Sequence, residues 1–366
     1  MRNGWKSVKA WAYVLAFVVP LLVAVGLRIG GAAVLLTPAF TFVLVPLLDL
    51  AVGEDRTNTT PDEDRAMDGE RYYRVLTWLF VPVYWAVLVS VLRAAAAGGW
   101  SPLETAGNVF SLGILGGIGI VVAHEMGHKP GRFEKLLAKA LLHPVFYGHF
   151  TREHNLGHHR LVATPEDPSS ARLGESFFRF YPRAVGGVFR KAMELEAERL
   201  RRDGRGAWSV RNEIYRAVLV PAVLLGGAFS LWGGRAAAAL GVSAVIAFSL
   251  LEVVNYLEHY GLERRRLENG KYERVTPLHS WNSNHLVTNC FLFHLQRHSD
   301  HHTWPARRYQ VLRDVPEAPQ LPTGYAGMIL LALVPPLWFR VMDRRVADFM
   351  QRQRETQLVE GTGAVD

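Results

Sequence analysis

Fourteen histidines are present and none precedes His124. Nine of them fall into a pattern that metal chemistry needs. HEMGHK at 124–129 places His124 and His128 at i,i+4, on one face of a helix. EHNLGHH at 153–159 repeats that spacing with His154 and His158, and adds His159 about 100° further round a helix. LQRHSDHH at 295–302 carries His298, His301 and His302 at i, i+3 and i+4, and His259 stands in NYLEHYGL. Imidazole-only ligation suits iron, copper, nickel or zinc. HEMGH also matches the HExxH pattern of zinc proteases, but such a site takes three protein ligands and an open position. Nine nitrogens fill most of two octahedral shells, and two irons with positions open to O2 fit that number. A bis-histidine haem needs histidines facing each other within the spans, whereas these gather near span ends.

A metal-bound imidazole usually donates its other N–H to a carboxylate or carbonyl. Each histidine group has an acid beside it: Glu125, Glu153, Glu258 and Asp300. A helical neighbour at i±1 points about 100° away, so each is expected to orient a histidine of another group. Asn255, near His259, is a further candidate. His143, His149, His279, His285 and His294 lie near the boxes and are expected to be hydrogen-bonded structural residues.

These groups need elements to hold them, and the elements are apolar. Of 366 residues, 49% are hydrophobic and 20% charged, and the apolar ones gather in blocks. A bilayer core takes about 20 such residues in a helix. Spans are expected near 10–27, 30–51, 75–95, 105–123, 213–232 and 236–257. Arg2, Lys6 and Lys9 ahead of the first block raise the possibility of a cleaved signal peptide, but the block runs straight into the second through Arg28 and two glycines, which favours a helical hairpin. Six spans put both termini, the loop 53–74, the block 124–212 and everything after 258 on one side. Nearly all Lys and Arg fall there, so that side is cytoplasmic, and all nine histidines share it. The net charge of +8 then suits a membrane surface or an acidic protein rather than nucleic acid. KAMELEAERLRR within 186–206 reads as a charged helix with i,i+4 acid–base pairs. GYAGMILLALVPPLWFR at 324–340 reads as an interfacial or re-entrant helix, and 354–366 as a disordered tail. Cys290 is the sole cysteine. It excludes an internal disulfide and any four-cysteine site, and is expected as a small buried residue.

HEMGHK, EHNLGHH, NYLEHYGL and LQRHSDHH resemble the motifs of the membrane alkane 1-monooxygenases, within the wider family of histidine-box desaturases and hydroxylases. LVPLLDLAVGED at 44–55, ERYYRVLTWLFVP at 70–82, YGHFTREHNLGHHRLVATPEDP at 147–168 and SWNSNHLVTNCFLFHLQRHSDHH at 280–302 extend the likeness over roughly 10–345. The resemblance implies an all-α integral membrane protein of the bacterial inner membrane, with six transmembrane helices and a cytoplasmic helical cap. It implies a non-haem diiron centre on His124, His128, His154, His158, His159, His259, His298, His301 and His302. It also implies O2 as cosubstrate, terminal hydroxylation of medium- to long-chain alkanes, and electrons from rubredoxin served by an NAD(P)H-dependent rubredoxin reductase. One cysteine cannot build a fused rubredoxin, so a separate acidic donor is expected to meet basics such as Arg201, Arg202, Arg205, Arg264, Arg265 and Arg266. In the family a large aromatic on the second span limits chain length. Here Thr41 stands between Phe40 and Phe42, and these three are the expected substrate-channel residues. The alternatives are a fatty-acyl desaturase and an alkyl-aromatic methyl hydroxylase of the same group. HxxxHH at 154–159, where acyl desaturases often carry HxxHH, leans toward hydroxylation.

Overall fold

The structure, a computed structural model, describes residues 10–362, with side chains as far as 355. Arg2, Lys6 and Lys9 lie outside the described residues. Helices account for the regular structure throughout, and no β-strand longer than an isolated bridge occurs among the described residues. Five helices are long and apolar enough to cross a bilayer: α1 (Ala10–Ile29), α2 (Gly31–Val52), α4 (Arg71–Ala97), α5 (Pro102–Gly127) and α10 (Glu213–His259).

The longest, α10, is two helices. Gly233 carries φ 79° and ψ −179°, a backbone state that an L side chain resists. Ala217 lies against Gly148, and Phe248 stacks on Tyr147 at 5.4 Å. In one straight rod those two residues would stand roughly 46 Å apart. Both meet the same corner, so the chain doubles back at Gly233 into an antiparallel pair. Arg235, just past the bend, lies against Gly98 at the far end of α4. With α10 taken as two arms, the five long helices comprise six apolar segments.

Tight helix contacts hold these segments together. In a bilayer, water supplies no drive between helices, and close backbone approach by small residues replaces it. Gly113 on α5 faces Ile246 and the Ser243 carbonyl of the second arm of α10, and a Cβ there would sit 3.2 Å from that oxygen. Gly113→Val is expected to cost about 1–3 kcal/mol, read as a lower unfolding temperature in detergent with no change in overall helicity.

The polar segments are more ordered than the sequence suggests. The expected loop 53–74 contains α3 (Pro61–Gly69), started by a reciprocal Thr60–Glu63 capping box with Pro61 in the first turn. The charged helix expected within 186–206 is α9 (Phe177–Arg202), which begins well before that stretch. Its buried Glu196 accepts from the Glu213 backbone N–H at 2.8 Å and pairs with Arg152 at 2.8 Å. That knot ties α9 and the start of α10 to the segment bearing the second histidine box. The 324–340 stretch forms α13 (Tyr325–Ala332), a break at Leu333–Val334, then α14 (Pro335–Thr362). Pro335 and Pro336 supply no N–H to continue the first helix. Leu330, Leu333, Val334 and Leu337 are exposed around the turn, as an interfacial element requires. Helix α14 runs on through 354–362, where a disordered tail is expected; 363–366 lie outside the described residues.

Candidate metal centre

Four short stretches meet at one end of the bundle. His124 sits in the last turn of α5, with His128 as its C-cap. The second box lies on α7 (Phe150–Glu153), a π turn (His154–His158) and α8 (His159–Leu161). His259 ends α10, and His298, His301 and His302 lie on α12 (His298–Thr303). Buried cations brace these stretches. The Arg297 guanidinium donates to the Leu312, Asp55 and Thr57 carbonyls at 2.7, 2.8 and 3.2 Å. Lys129 donates to the Arg307 carbonyl at 2.8 Å and pairs with Glu125 at 2.9 Å.

All nine box histidines converge, and they divide into two sets. His124, His128, His154, His159 and His301 form one; His158, His259, His298 and His302 form the other. Within each set one nitrogen per ring lies within 4.8 Å of the rest. The π turn explains the division. In an α-helix His154 and His158 would share a face, but here the His159 N–H reaches back to the His154 carbonyl, five residues away. The wider turn brings His159 beside His154, Nε2 to Nε2 3.0 Å, and sends His158 to the other set. The sets touch where His159 stacks on His302, centroids 4.3 Å apart.

The donor chemistry fits metal ions. Nε2 of His124, His128, His158 and His301, Nδ1 of His159 and His298, and both ring nitrogens of His302 are buried with no hydrogen-bond partner. Leaving that many polar atoms unsatisfied costs about 1–3 kcal/mol each unless a ligand takes them. Burial first, and then neighbouring imidazoles, hold His154, His159, His298, His301 and His302 well below the ordinary histidine pKa. Burial thus favours the neutral imidazole, the form whose lone pair can bind a metal. The two sets are donor clusters that could each hold a metal ion.

The surrounding carboxylates differ from the sequence expectation. Glu258 meets a histidine of another stretch as expected: its Oε2 lies 3.2 Å from His298 Nε2, and Oε1 accepts from the Tyr325 hydroxyl at 2.9 Å. Glu125, Glu153, Asp300 and Asn255 make no hydrogen bond to a box histidine among the described residues. Glu125 is held by Lys129 and the Tyr309 N–H, so it does not serve as the base of an HExxH hydrolase. Asp300 clamps Arg307 at 2.5 and 2.7 Å and accepts from the Arg313 N–H. Glu153 is buried with Oε1 unpartnered, and burial followed by the nearby Asp167 pushes its pKa well up. Asn255 donates to Glu252 at 3.3 Å.

Sequence reasoning missed Asp167. Its Oδ2 lies 2.9 Å from His158 Nδ1 and accepts from Ser170 Oγ at 2.6 Å, and its Oδ1 accepts from the Ser169 N–H at 3.1 Å. Burial would raise its pKa, but the attraction of His158 and the bonds from His158 and Ser170 hold it down. It is the buried anion that fixes the His158 ring. The one signal is ATPEDPSS, whose Asp167 stands nine residues past His158 and puts an acid within loop reach. His259 finds its partner in the backbone instead, Nδ1 donating to the His279 carbonyl at 3.2 Å. Asp167→Asn is expected to weaken metal binding in the four-histidine set by about 10–100-fold, measured by competitive metal titration, with the five-histidine set unchanged.

The remaining five histidines lie outside both sets. His285 bonds Ser283 Oγ, His279 accepts from the Thr276 N–H, His294 meets Tyr13, His149 packs on Tyr147 and Phe189, and His143 lies against Gly148. Cys290 is buried.

A narrow apolar cavity of about 80 Å³ joins the spans to the site. Thr41 and Phe42 line it, as do Ile114, Ile118 and Leu250, and it meets His124, His154 and His298. Phe40, the third expected channel residue, lies off the wall and packs on Phe291, which lines the cavity, at 5.7 Å. Thr41 sits in a second π turn, Phe40–Leu44.

The sequence profile of the fatty acid desaturase family matches residues 99–332. An alkane 1-monooxygenase of Ectopseudomonas oleovorans is 46% identical over 306 residues, covering 83% of this chain and 76% of that protein. Alkane 1-monooxygenase 2 of Pseudomonas aeruginosa is 49% identical over 308 residues, 83% of this chain and 82% of the other. The hydroxylase component XylM of a xylene/toluene monooxygenase from Pseudomonas putida is 32% identical over 256 residues, 69% of this chain and 67% of that one. A helical membrane-type architecture, two histidine sets and these identities agree: the chain belongs to the alkane 1-monooxygenase family, within the fatty acid desaturase superfamily.

Proposed function

We propose that this chain hydroxylates the terminal methyl of medium- to long-chain n-alkanes with O2, using two irons held by the five- and four-histidine sets and electrons from rubredoxin. The observation that carries this reading is the cavity. An alkane offers no polar handle, so its recognition must be steric, and it partitions into hydrocarbon before it meets the protein. A wall of Ile114, Ile118, Val121, Leu250, Leu251 and Val254 accepts such a chain, and the cavity ends on histidines of both sets.

Iron bound there supplies the redox chemistry that activates O2 and attacks an unactivated C–H bond; overall, alkane, O2, two electrons and two protons give alcohol and water. The protein does the rest. Its neutral imidazoles leave the metal charge undiminished. Asp167 and Glu258 fix His158 and His298. The apolar wall positions the methyl and keeps water from the reacting atoms.

The basic side of the bundle, with the termini and the histidines, faces the cytoplasm of a bacterial inner membrane, and the six apolar segments cross the bilayer. His128 and His159 are the two site histidines that are only partly buried, and exposed Arg160 follows the second. This rim suits electron entry from an acidic rubredoxin. Arg264, which donates to the Arg160 carbonyl at 2.8 Å, stands beside it, and Arg201, Arg202, Arg205, Arg265 and Arg266 carry further positive charge on the same cytoplasmic side.

The test is product analysis. Iron-loaded protein with rubredoxin, its reductase, NADH and alkanes of graded length is expected to give 1-alkanols. A double bond in an acyl substrate, or oxidation of an aryl methyl with no alkanol at any length, overturns the reading.

A further inference from the structure

One buried pair plays no part in the chemistry above. The Tyr13 hydroxyl lies 3.1 Å from His294 Nε2 and 3.3 Å from Nδ1, and Nδ1 lies 3.0 Å from the Tyr309 carbonyl. A carbonyl only accepts, so Nδ1 carries the proton and Nε2 presents a lone pair to the phenol. His294 and the preceding Phe293 both adopt left-handed backbone, φ 54° and 50°. Backbone of that kind is strained for residues with a Cβ and persists only where the surroundings hold it in place.

The pair lies between the metal site and the surface. On the inner side, Phe293 shares a small internal void with His124 and His301. Its ring lies parallel to that of Tyr13, centroids 6.3 Å apart. Glu125, next to His124 in the chain, accepts from the Tyr309 N–H. On the outer side the aromatic rings continue without a gap. Tyr13 meets Tyr309 at 4.9 Å, Tyr309 meets Tyr73 at 6.0 Å, Tyr73 meets Tyr72 at 5.3 Å and Tyr72 meets Trp11 at 5.6 Å. Trp11 is 68% exposed. An aromatic belt at a membrane interface would account for Trp11 and Tyr72, but it needs neither a buried phenol–imidazole pair nor strained backbone to hold it.

We infer that Tyr13 and His294 form a redox-active pair that drains oxidising equivalents from the metal site when O2 is activated with no alkane in the cavity. This rests on the function proposed above. In the step, Tyr13 gives one electron to the oxidised metal site and its phenolic proton to His294 Nε2, leaving a neutral tyrosyl radical and an imidazolium. The metal site is reduced by one electron. The radical is quenched when a one-electron reductant such as ascorbate, meeting Trp11 at the surface, returns an electron along the rings and His294 returns the proton.

The experiment uses the full-length, iron-loaded protein in nanodiscs, with rubredoxin, its reductase and NADH. It is mixed with O2 without alkane and freeze-quenched for electron paramagnetic resonance. The wild type is expected to give a tyrosyl signal that narrows with ring-deuterated tyrosine. Tyr13→Phe, which keeps the packed ring, should lose that signal, and His294→Gln should weaken it at least several-fold. Tyr13→Phe should also inactivate several-fold faster per NADH consumed without alkane, while its iron content and initial rate with alkane stay at wild-type values. Trp11→Phe should prolong the signal in the presence of ascorbate. A wild type that makes alcohol but shows no tyrosyl radical overturns this inference alone, as does a Tyr13→Phe protein with unchanged signal and lifetime. A wild type that makes no oxidised product overturns the function and this inference together.

Discussion

Replacing His301 by alanine is expected to empty one metal position, and replacing its neighbour His302 to empty the other. The two residues are adjacent in the chain, yet they belong to different sets: His301 lies with His124, His128, His154 and His159, and His302 with His158, His259 and His298. Each variant should fall from about two bound irons to about one, because each set loses a ligand and gains a cavity that water fills. Spectroscopy on the remaining iron should then report a five-imidazole environment in His302→Ala and a four-imidazole one in His301→Ala. The same crossing is expected at the π turn, where His159→Ala behaves like His301→Ala and His158→Ala like His302→Ala. If the two proposed irons act as a unit, hydroxylation should fall roughly 1,000-fold or more in all four. If all four variants lost the same metal, or lost both together, the division into sets would be wrong.

The division itself was not legible in the sequence, although its members were. Spacing pointed to the eight histidines of the three boxes, because i,i+3 and i,i+4 repeats of one residue type are conspicuous, and His259 was added from its place in NYLEHYGL. It could not assign them. It paired His154 with His158 on one face, as an α-helix would, and the π turn at 154–158 reverses that by making the fifth residue the neighbour. One inserted hydrogen-bond step has no compositional signature in HNLGH. The acids show a similar limit. Helical geometry pointed Glu258 to a different stretch, and its Oε2 lies 3.2 Å from His298 Nε2. Yet the same rule gave Glu125 and Asp300 roles that Lys129, Arg307 and the Arg313 backbone claim instead, since an adjacent cation outcompetes a neutral ring for a carboxylate. Asp167, the strongest carboxylate partner of the site, lay in a loop with no periodicity to point it inward. The apolar blocks were the easiest to read, because length and hydropathy alone define them. Gly233 marks where two of them join, and the antiparallel return it permits was implied by block length.

Thr41→Trp is expected to shorten the range of alkanes the protein accepts. Thr41 lines the cavity on the second span, and His124, His154 and His298 line it too. Its side chain is buried, and its hydroxyl finds no hydrogen-bond partner among the described residues. A hydroxyl in that position earns nothing electrostatically, so the small volume of threonine is what the site uses. An indole there would occupy space otherwise available to the far end of a long chain. A chain with about four methylenes beyond the block would forfeit about 0.8 kcal/mol for each one left unburied, about 3 kcal/mol in all. That corresponds to roughly a 100-fold loss in kcat/KM. Chains that end short of Thr41 should keep their wild-type rate, because they never touch it. The profile of 1-alkanol formed against chain length should therefore step down at a shorter length in the variant, with iron content unchanged. Phe40→Ala provides the contrast. Phe40 stands behind Phe291 rather than on the wall, so trimming it should loosen packing and blur the cut-off without moving the step. Equal loss across all lengths in Thr41→Trp would mean that the indole disturbs the metal site rather than the chain, and unchanged long-chain rates would place the chain's far end somewhere other than the second span.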